Sequence, residues 1–355
     1  MKIKTVAYKG SKRKLLENIE HYAQEINATS FFDGFSGTGI VSAYMRQKGY
    51  LVTANDISSS SYIYGNVFLK SFDEEIVKNH LNIMNSLEPY SGWLTQNYSG
   101  TRQRIIRGTG GQMEERPLGF TVSNAMKLDA AREYIENLSD IKDKEKNALI
   151  FAVILTADKV FNNSNDQKSA LKMWTKGSLK DARFLPPTYI EGLPGKQLKD
   201  NIERLSPCAD IVYYDPPYTH GVLYPSCYHL NDSIAQWDKP ILDYDYAIPR
   251  PKRVCFRANK KTAGAFYSKK EAQKSFATII KAAACKRVVL SYSDAPRNTV
   301  TINDLVEVGK AFGKTRVESR EHQLCTQFHS MEKISKNLKE FFVIIDKTNN
   351  TMEEK

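Results

Sequence analysis

Ser30-Phe31-Phe32-Asp33-Gly34-Phe35-Ser36-Gly37-Thr38-Gly39 is the stretch on which the fold turns. A short apolar strand ends in an acid and breaks into a glycine-rich turn. Residues 40–48 then carry apolar side chains at helical spacing and stop at Gly49, and residues 50–55 read as the next strand. Strand, glycine turn, helix and strand together open a doubly wound α/β sheet. Glycines at a strand end let a ligand approach the backbone, and the following helix offers unpaired N–H groups. From Gly34 to Gly39 the pattern is G-x-x-G-x-G, not the dinucleotide pattern G-x-G-x-x-G. Asp56 comes 23 residues after Asp33, beyond the second strand, where a carboxylate meets ribose hydroxyls. The pairing favours a nucleoside-bearing cofactor over a plain tight turn with a helix-capping acid.

Working outward, residues 14–26 read as an amphipathic helix. From about residue 71 to 189 the α/β alternation lapses. This part holds Arg102, Arg104 and Arg107 beside Gly108-Thr-Gly-Gly111, then helical patterns at 123–138 and 144–160. The sheet pattern returns at 210–214 and runs into Asp215-Pro216-Pro217-Tyr218. A lysine-rich helix at 268–284 and a strand at 287–292 follow, and 305–317 with 340–346 suggest a closing antiparallel pair. The expected organisation is catalytic residues 1–85 and 191–346, an insertion at 86–190 carrying target recognition, and a flexible tail at 347–355.

The chain has 355 residues, enough for a full core, and 41% hydrophobic residues exclude wholesale disorder. Its longest near-unbroken apolar stretch, 148–155, falls well short of the roughly 20 residues of a membrane span. The N-terminal residues lack the apolar centre of a signal peptide, so the cytoplasm is the expected compartment. Five cysteines stand far apart with no CxxC pair, and the six histidines form no HxxxH pair, so no structural metal or disulfide framework is expected. The net charge is +11, and residues 250–290 hold twelve Lys/Arg against one acid, Glu271. Charge lumped in this way suits a polyanion, although a solvated helical face would read alike. Arg250, Lys252, Arg253, Arg257, Lys260 and Lys261 are candidate phosphate contacts, with Arg102, Arg104 and Arg107 a weaker second group.

Asp215-Pro-Pro-Tyr218 carries the chemistry. Two prolines remove two donors and hold the chain extended, so the strand cannot continue. One carboxylate, rigid carbonyls and an aromatic ring are left at the carboxyl edge of the sheet, where such folds bind ligands. An acid beside a backbone carbonyl forms an acceptor pair suited to an exocyclic amino group, and the ring can stack on its base.

Asp33-x-Phe35-x-Gly37-x-Gly39 and Asp215-Pro-Pro-Tyr218 resemble motifs I and IV of the S-adenosylmethionine-dependent DNA adenine-N6 methyltransferases. Ala7-Tyr-Lys-Gly-Ser-Lys12 resembles motif X of their Dam-like alpha class, and the order X, I, IV matches. The resemblance covers most of the chain, roughly residues 8–346. It implies a mixed seven-stranded Rossmann-like sheet and S-adenosylmethionine as cofactor. Tyr8, Lys12, Asp33, Phe35, Gly37, Gly39, Asp56 and Asp200 would bind that cofactor: Asp33 its amino group, Asp56 the ribose, Asp200 the adenine. Asp215 and the Pro216 carbonyl would accept from the target amino group, with Pro217 holding the turn and Tyr218 stacking on the base. The methyl donor is already activated, so positioning and electrostatics are what remains for the protein. A base paired in duplex DNA must first be extruded, which costs about a few kcal/mol. A partner restriction endonuclease would fit such an enzyme.

The nearest rival is a cytosine-N4 methyltransferase, whose motif IV more often begins with Ser; RNA and protein-glutamine enzymes usually begin it with Asn. A non-catalytic nucleic-acid-binding module on a methyltransferase fold is a rival of another class. A nicotinamide dehydrogenase would have no use for Asp-Pro-Pro-Tyr.

Overall fold

In the computed structural model of the chain, which describes residues 3–8, 10–105, 110–163, 167, 171–217, 224–245, 248–252, 265–295, 298–321 and 339–348, the apolar stretches become a seven-stranded sheet. Its strands in chain order are β1 (Ser30–Asp33), β2 (Leu51–Asn55), β3 (Lys196–Leu198), β4 (Ile211–Tyr214), β5 (Arg287–Ser293), β6 (Gly313–Glu321) and β7 (Lys339–Lys347). The spatial order is β6-β7-β5-β4-β1-β2-β3. All neighbours are parallel except β7, which runs antiparallel between β5 and β6. The expected mixed α/β sheet is present. β1 sits at the centre between β4 and β2, and the chain leaves it toward opposite sides of the sheet. Such a reversal opens a crevice at the carboxyl edge.

The inner strands β1, β4 and β5 are apolar because both faces are covered. Val212, Tyr214, Val288, Leu290, Tyr292, Val343 and Ile345 form a core on one face with Phe276, Ile279 and Ile280 of the helix Ala272–Ala282. Lys274 and Lys281 of that helix stay in solvent, as its amphipathic pattern requires. On the other face the helix Leu16–Gln24 brings Tyr22 against Phe342, with ring centroids 5.3 Å apart.

One element departs from expectation. Residues 302–310 form a helix, and the edge strand starts only at Gly313. Thr301 and Asp304 make a reciprocal capping box, Thr301 Oγ1 accepting from the Asp304 N–H at 3.1 Å and the Asp304 carboxylate from the Thr301 N–H at 2.8 Å. That local pairing starts a helix where the apolar residues alone read as a strand.

The residues divide into two compact units. The unit with the sheet comprises Gly10–Lys70, Ile190–Leu223 and Lys260–Lys355. The other comprises Met1–Lys9, Ser71–Tyr189 and Tyr224–Asn259. The second unit thus starts before the expected insertion at residue 86 and takes in a stretch after motif IV. It is mainly helical: Glu74–Ser86, Trp93–Tyr98, Val122–Glu136, Asp143–Val160 and His229–Gln236 are its longer helices. The Asp143–Val160 helix is buried along most of its length and forms the centre of that core. The buried Asp129 carboxylate caps the Trp93–Tyr98 helix, accepting from the backbone N–H groups of Gly92, Leu94 and Thr95 at 2.8–3.0 Å. Two antiparallel hairpins complete the unit, Thr101–Ile105 with Met113–Pro117 and Leu242–Asp243 with Arg250–Pro251. Among the described residues no helix is long and apolar enough to cross a membrane, and no cluster of His, Cys, Asp and Glu could hold a metal.

Candidate active site

Three carboxylates stand at the carboxyl edge of adjacent strands. Asp33 ends β1 and is in register with Ala54 on β2 and Tyr213 on β4. Asp56 lies two residues beyond Ala54, and Asp215 two residues beyond Tyr213. The alternation of strand side chains turns a register match into a cluster.

Asp33 is fully buried. Ser42 Oγ donates to its Oδ2 at 2.6 Å, while Oδ1 is buried and has no hydrogen-bond partner among the described residues. Burial first, and then the charges of Asp215 and Asp56, raise its pKa to about 7 against the opposing Ser42 hydrogen bond. A buried carboxylate with one empty acceptor next to a glycine turn suits a cationic donor.

The turn itself is built for close approach. Gly39 adopts φ +72° as it enters the helix Ile40–Gln47, and a Cβ there would lie 2.9 Å from the Phe68 ring. At Gly34 a Cβ would lie 2.4 Å from the Tyr214 ring. The Gly37 N–H donates to Asp56 Oδ2 at 2.8 Å and the Ser58 N–H to Oδ1 at 2.9 Å. Asp56 therefore pins the turn and the start of the next helix in addition to any role toward a ribose. Phe35 packs edge-on against Phe266 at 5.4 Å and Tyr214 at 6.1 Å, closing the turn onto the core.

Asp200 follows β3. Its backbone and the side chain of Asn55 clasp each other, Asp200 N–H to Asn55 Oδ1 and Asn55 Nδ2 to the Asp200 carbonyl, both at 3.1 Å. Its exposed carboxylate accepts only the neighbouring Asn201 N–H at 2.7 Å among the described residues. Asn55 was not singled out by motif. The signal for it is its position, the last residue of β2 directly before Asp56.

At the motif IV turn, Pro216 is buried and Pro217 half-buried. Asp215 receives the Lys12 ammonium, Nζ to Oδ2 2.9 Å, and its Oδ1 has no partner among the described residues. Lys12, nearly inaccessible at 4% exposure, is thus a partner of the motif IV acid. Its expected contact with the cofactor alone did not anticipate this. Burial raises the Asp215 pKa to about 6, Lys12 works against that rise, and Glu340 adds to it. Glu340, which no motif marks, lies 3.4 Å from Lys12 Nζ.

The family comparison falls on this frame. A family model described as D12 class N6 adenine-specific DNA methyltransferase matches residues 8–245. The chain belongs to that family. The methyltransferase is 26% identical to the type II methyltransferase M.CviAII of Paramecium bursaria Chlorella virus 1, over 90% of this chain and 92% of the relative. It is 27% identical to the type II methyltransferase M.NlaIII of Neisseria lactamica, over 89% and 91%. It is 30% identical to the type II methyltransferase M.FokI of Planomicrobium okeanokoites, over 80% of this chain and 44% of that longer protein. The methyltransferase therefore acts on the N6 amino group of adenine in DNA, with S-adenosylmethionine as methyl donor, and the cytosine-N4 and non-catalytic readings are set aside. The empty Asp33 acceptor, the glycine turn and the Asp56 carboxylate are chemically suited to that cofactor's ammonium and ribose.

The other expected site residues stand elsewhere. Tyr8 belongs to the helical unit, where it stacks on Tyr228 with centroids 4.7 Å apart, and the Ala7 N–H beside it donates to Asp158 at 2.8 Å. Arg102 and Arg104 lie on the Thr101–Ile105 strand of the methyltransferase, Arg102 with its guanidinium 5.6 Å from the Tyr244 ring centroid. The facing strand carries Glu114, Glu115 and Arg116, so the hairpin is of mixed charge. Arg250 donates to Ser226 Oγ at 3.1 Å and Lys252 is exposed. Of the basic 250–290 run, Lys286 pairs with Asp210 at 2.8 Å and the buried Arg287 with Glu25 and Asp346. Part of the run's charge is therefore spent inside the fold. Arg107, Tyr218, Arg253, Arg257, Lys260 and Lys261 lie outside the described residues.

Proposed function

We propose that Asp215 and the Pro216 carbonyl are the acceptor pair for the adenine N6 amino group, with Asp33, the Gly37–Gly39 turn and Asp56 as the cofactor cradle. The observation that carries this reading is the carboxylate cluster at the carboxyl edge of β1, β2 and β4, in which Asp33 and Asp215 each keep one oxygen without a partner among the described residues. Bound S-adenosylmethionine supplies an activated methyl group. Asp215 and the Pro216 carbonyl accept the two amino hydrogens and so draw the nitrogen lone pair out of conjugation with the ring. Lys12 holds the Asp215 carboxylate ionised and in one orientation. After transfer the methylated nitrogen carries one proton too many, and Asp215, raised to about 6, can accept it. Tyr218 stacks on the extruded base.

In the same reading the DNA is duplex. Residues of the helical unit, among them the Thr101–Ile105 hairpin, read its sequence, and the basic segment around Lys260 and Lys261 contacts phosphates. The three relatives all bear type II names, which supports a role as the modification arm of a restriction-modification system, beside an endonuclease and in the compartment that holds the DNA.

The test is transfer of labelled methyl to unmethylated DNA by the parent and by Asp215→Ala, with cofactor affinity measured alongside. The variant is expected to lose transfer and keep affinity within a few-fold. Near-normal transfer would remove Asp215 from the reaction.

A further inference from the structure

Glu340 is buried at 2% exposure near the start of β7. Strand alternation fixes where its carboxylate points. Glu340 and Phe342 share a face of β7; Phe342 is in register with Ser291 on β5, and Ser291 shares that face with Val289, which is in register with Tyr213 on β4. Tyr213 and Asp215 in turn share a face of their segment. Three adjacent strands therefore present Asp215, Ser291 and Glu340 toward one point, and the Lys12–Lys14 turn brings Lys12 to it. Ser291 Oγ donates to Glu340 Oε1 at 2.5 Å. The same oxygen lies 3.4 Å from Lys12 Nζ, which stands 2.9 Å from Asp215 Oδ2 and 3.4 Å from the Gly10 carbonyl.

One buried ammonium thus serves two carboxylates, the buried Glu340 and the half-buried Asp215. Were Lys12 paired with Asp215 alone, the pair would be neutral and Asp215 a weak acceptor. A second carboxylate draws part of the ammonium away. We propose that Glu340 is a positioning residue for methyl transfer: held by Ser291, it shares Lys12 with Asp215 and so leaves the Asp215 carboxylate strong enough to accept from the adenine amino group. The inference rests on Asp215 being that acceptor. Its sign agrees with the electrostatics, in which Lys12 lowers and Glu340 raises the Asp215 pKa. The other described charged or titratable groups acting there are Asp33, through its charge, and the Tyr213 phenol on the same face.

The experiment is the pH profile of single-turnover methyl transfer by the full chain for the parent, Glu340→Gln, Ser291→Ala and Asp215→Asn. Glu340→Gln keeps shape and removes charge. Its acid limb should move to lower pH, because Asp215 ionises more readily, while the plateau rate falls by about tenfold or more, because a weaker base is a weaker acceptor. The KM for S-adenosylmethionine should stay unchanged. Ser291→Ala keeps the charge and should lower the rate by a smaller factor with the acid limb in place. A folded Glu340→Gln with parental plateau and acid limb, while Asp215→Asn is inactive, would overturn the role of Glu340 alone. An active Asp215→Asn would overturn the acceptor reading beneath it. If Glu340→Gln does not fold, Glu340→Asp is the second variant: the shorter carboxylate keeps the charge, so the acid limb should stay near parental while the plateau falls, and a parental plateau would overturn the positioning role.

Discussion

Lys12 Nζ lies 2.9 Å from Asp215 Oδ2, so the first motif of the chain holds the acid of the last one. The two are far apart in sequence and meet because the Lys12–Lys14 turn packs at the carboxyl edge of β4. The contact gives motif X an electrostatic effect on motif IV: Lys12 favours the ionised form of the half-buried Asp215 carboxylate.

Lys12→Met removes that charge. Lys12 lowers the Asp215 pKa, so without it the pKa climbs above its present value of about 6. Transfer at neutral pH should drop by about tenfold or more and recover partly as the pH is raised, with the acid limb displaced upward. A rate profile between pH 6 and 9 checks this. A variant with an unmoved acid limb would contradict the pairing.

Asp33→Asn should weaken S-adenosylmethionine binding by about ten- to a hundredfold, the loss of one hydrogen bond to a charged donor. Calorimetric titration reads it. Stability should move the other way. The folded pKa of Asp33, about 7, lies above the ordinary 3.8, so the native state holds the proton more tightly and stability falls as pH rises from about 4 through 7. Asn removes that loss, and the ligand-free variant should melt higher than the parent at pH 8 while differing little at pH 4.

Gly39→Ala forces a Cβ into a left-handed backbone 2.9 Å from the Phe68 ring. The expected cost is about 1–3 kcal/mol, read from urea unfolding, together with weaker cofactor binding.

Arg287→Ala breaks an ion-pair network in which Arg287 meets Glu25 and Asp346, and Arg316 meets the same two acids. Arg287 is buried and its partners are about one-third exposed, so the expected loss is about 2 kcal/mol of stability with the methyl-transfer rate intact. Chemical unfolding and a rate assay on the same sample separate the two effects.

Charge reversal at Lys260 and Lys261 should weaken binding to all DNA alike and flatten its salt dependence by about two units of slope. Binding isotherms at several salt concentrations test it. An altered sequence preference at unchanged salt slope would contradict a phosphate role.

Much of the central sheet was legible because local signals agreed there. The strand at 30–33, the glycine turn, the helix after it and the strand ending at Asn55 all carry the apolar runs and stops that their geometry demands. The stretch at 302–310 misled because its apolar residues fit either period, and the capping box at Thr301 was the feature that decided. The basic run at 250–290 gave a charge total without saying which charges reach solvent. Arg287 and Lys286 face acids from other segments, and no count along the chain can show that.

The sequence by itself determined the type of sheet, the motif order and the Asp-Pro-Pro-Tyr turn at the carboxyl end of its strand, since each depends on residues within one turn or strand. Tertiary structure decided what the charged groups do to one another. That Asp56 holds the glycine turn, that Asp33 keeps an empty buried acceptor, and that Lys12 stands between Asp215 and Glu340 all follow from strand register. Coulomb and desolvation energies depend on separation in space and on exclusion of water, and only the packed sheet sets those.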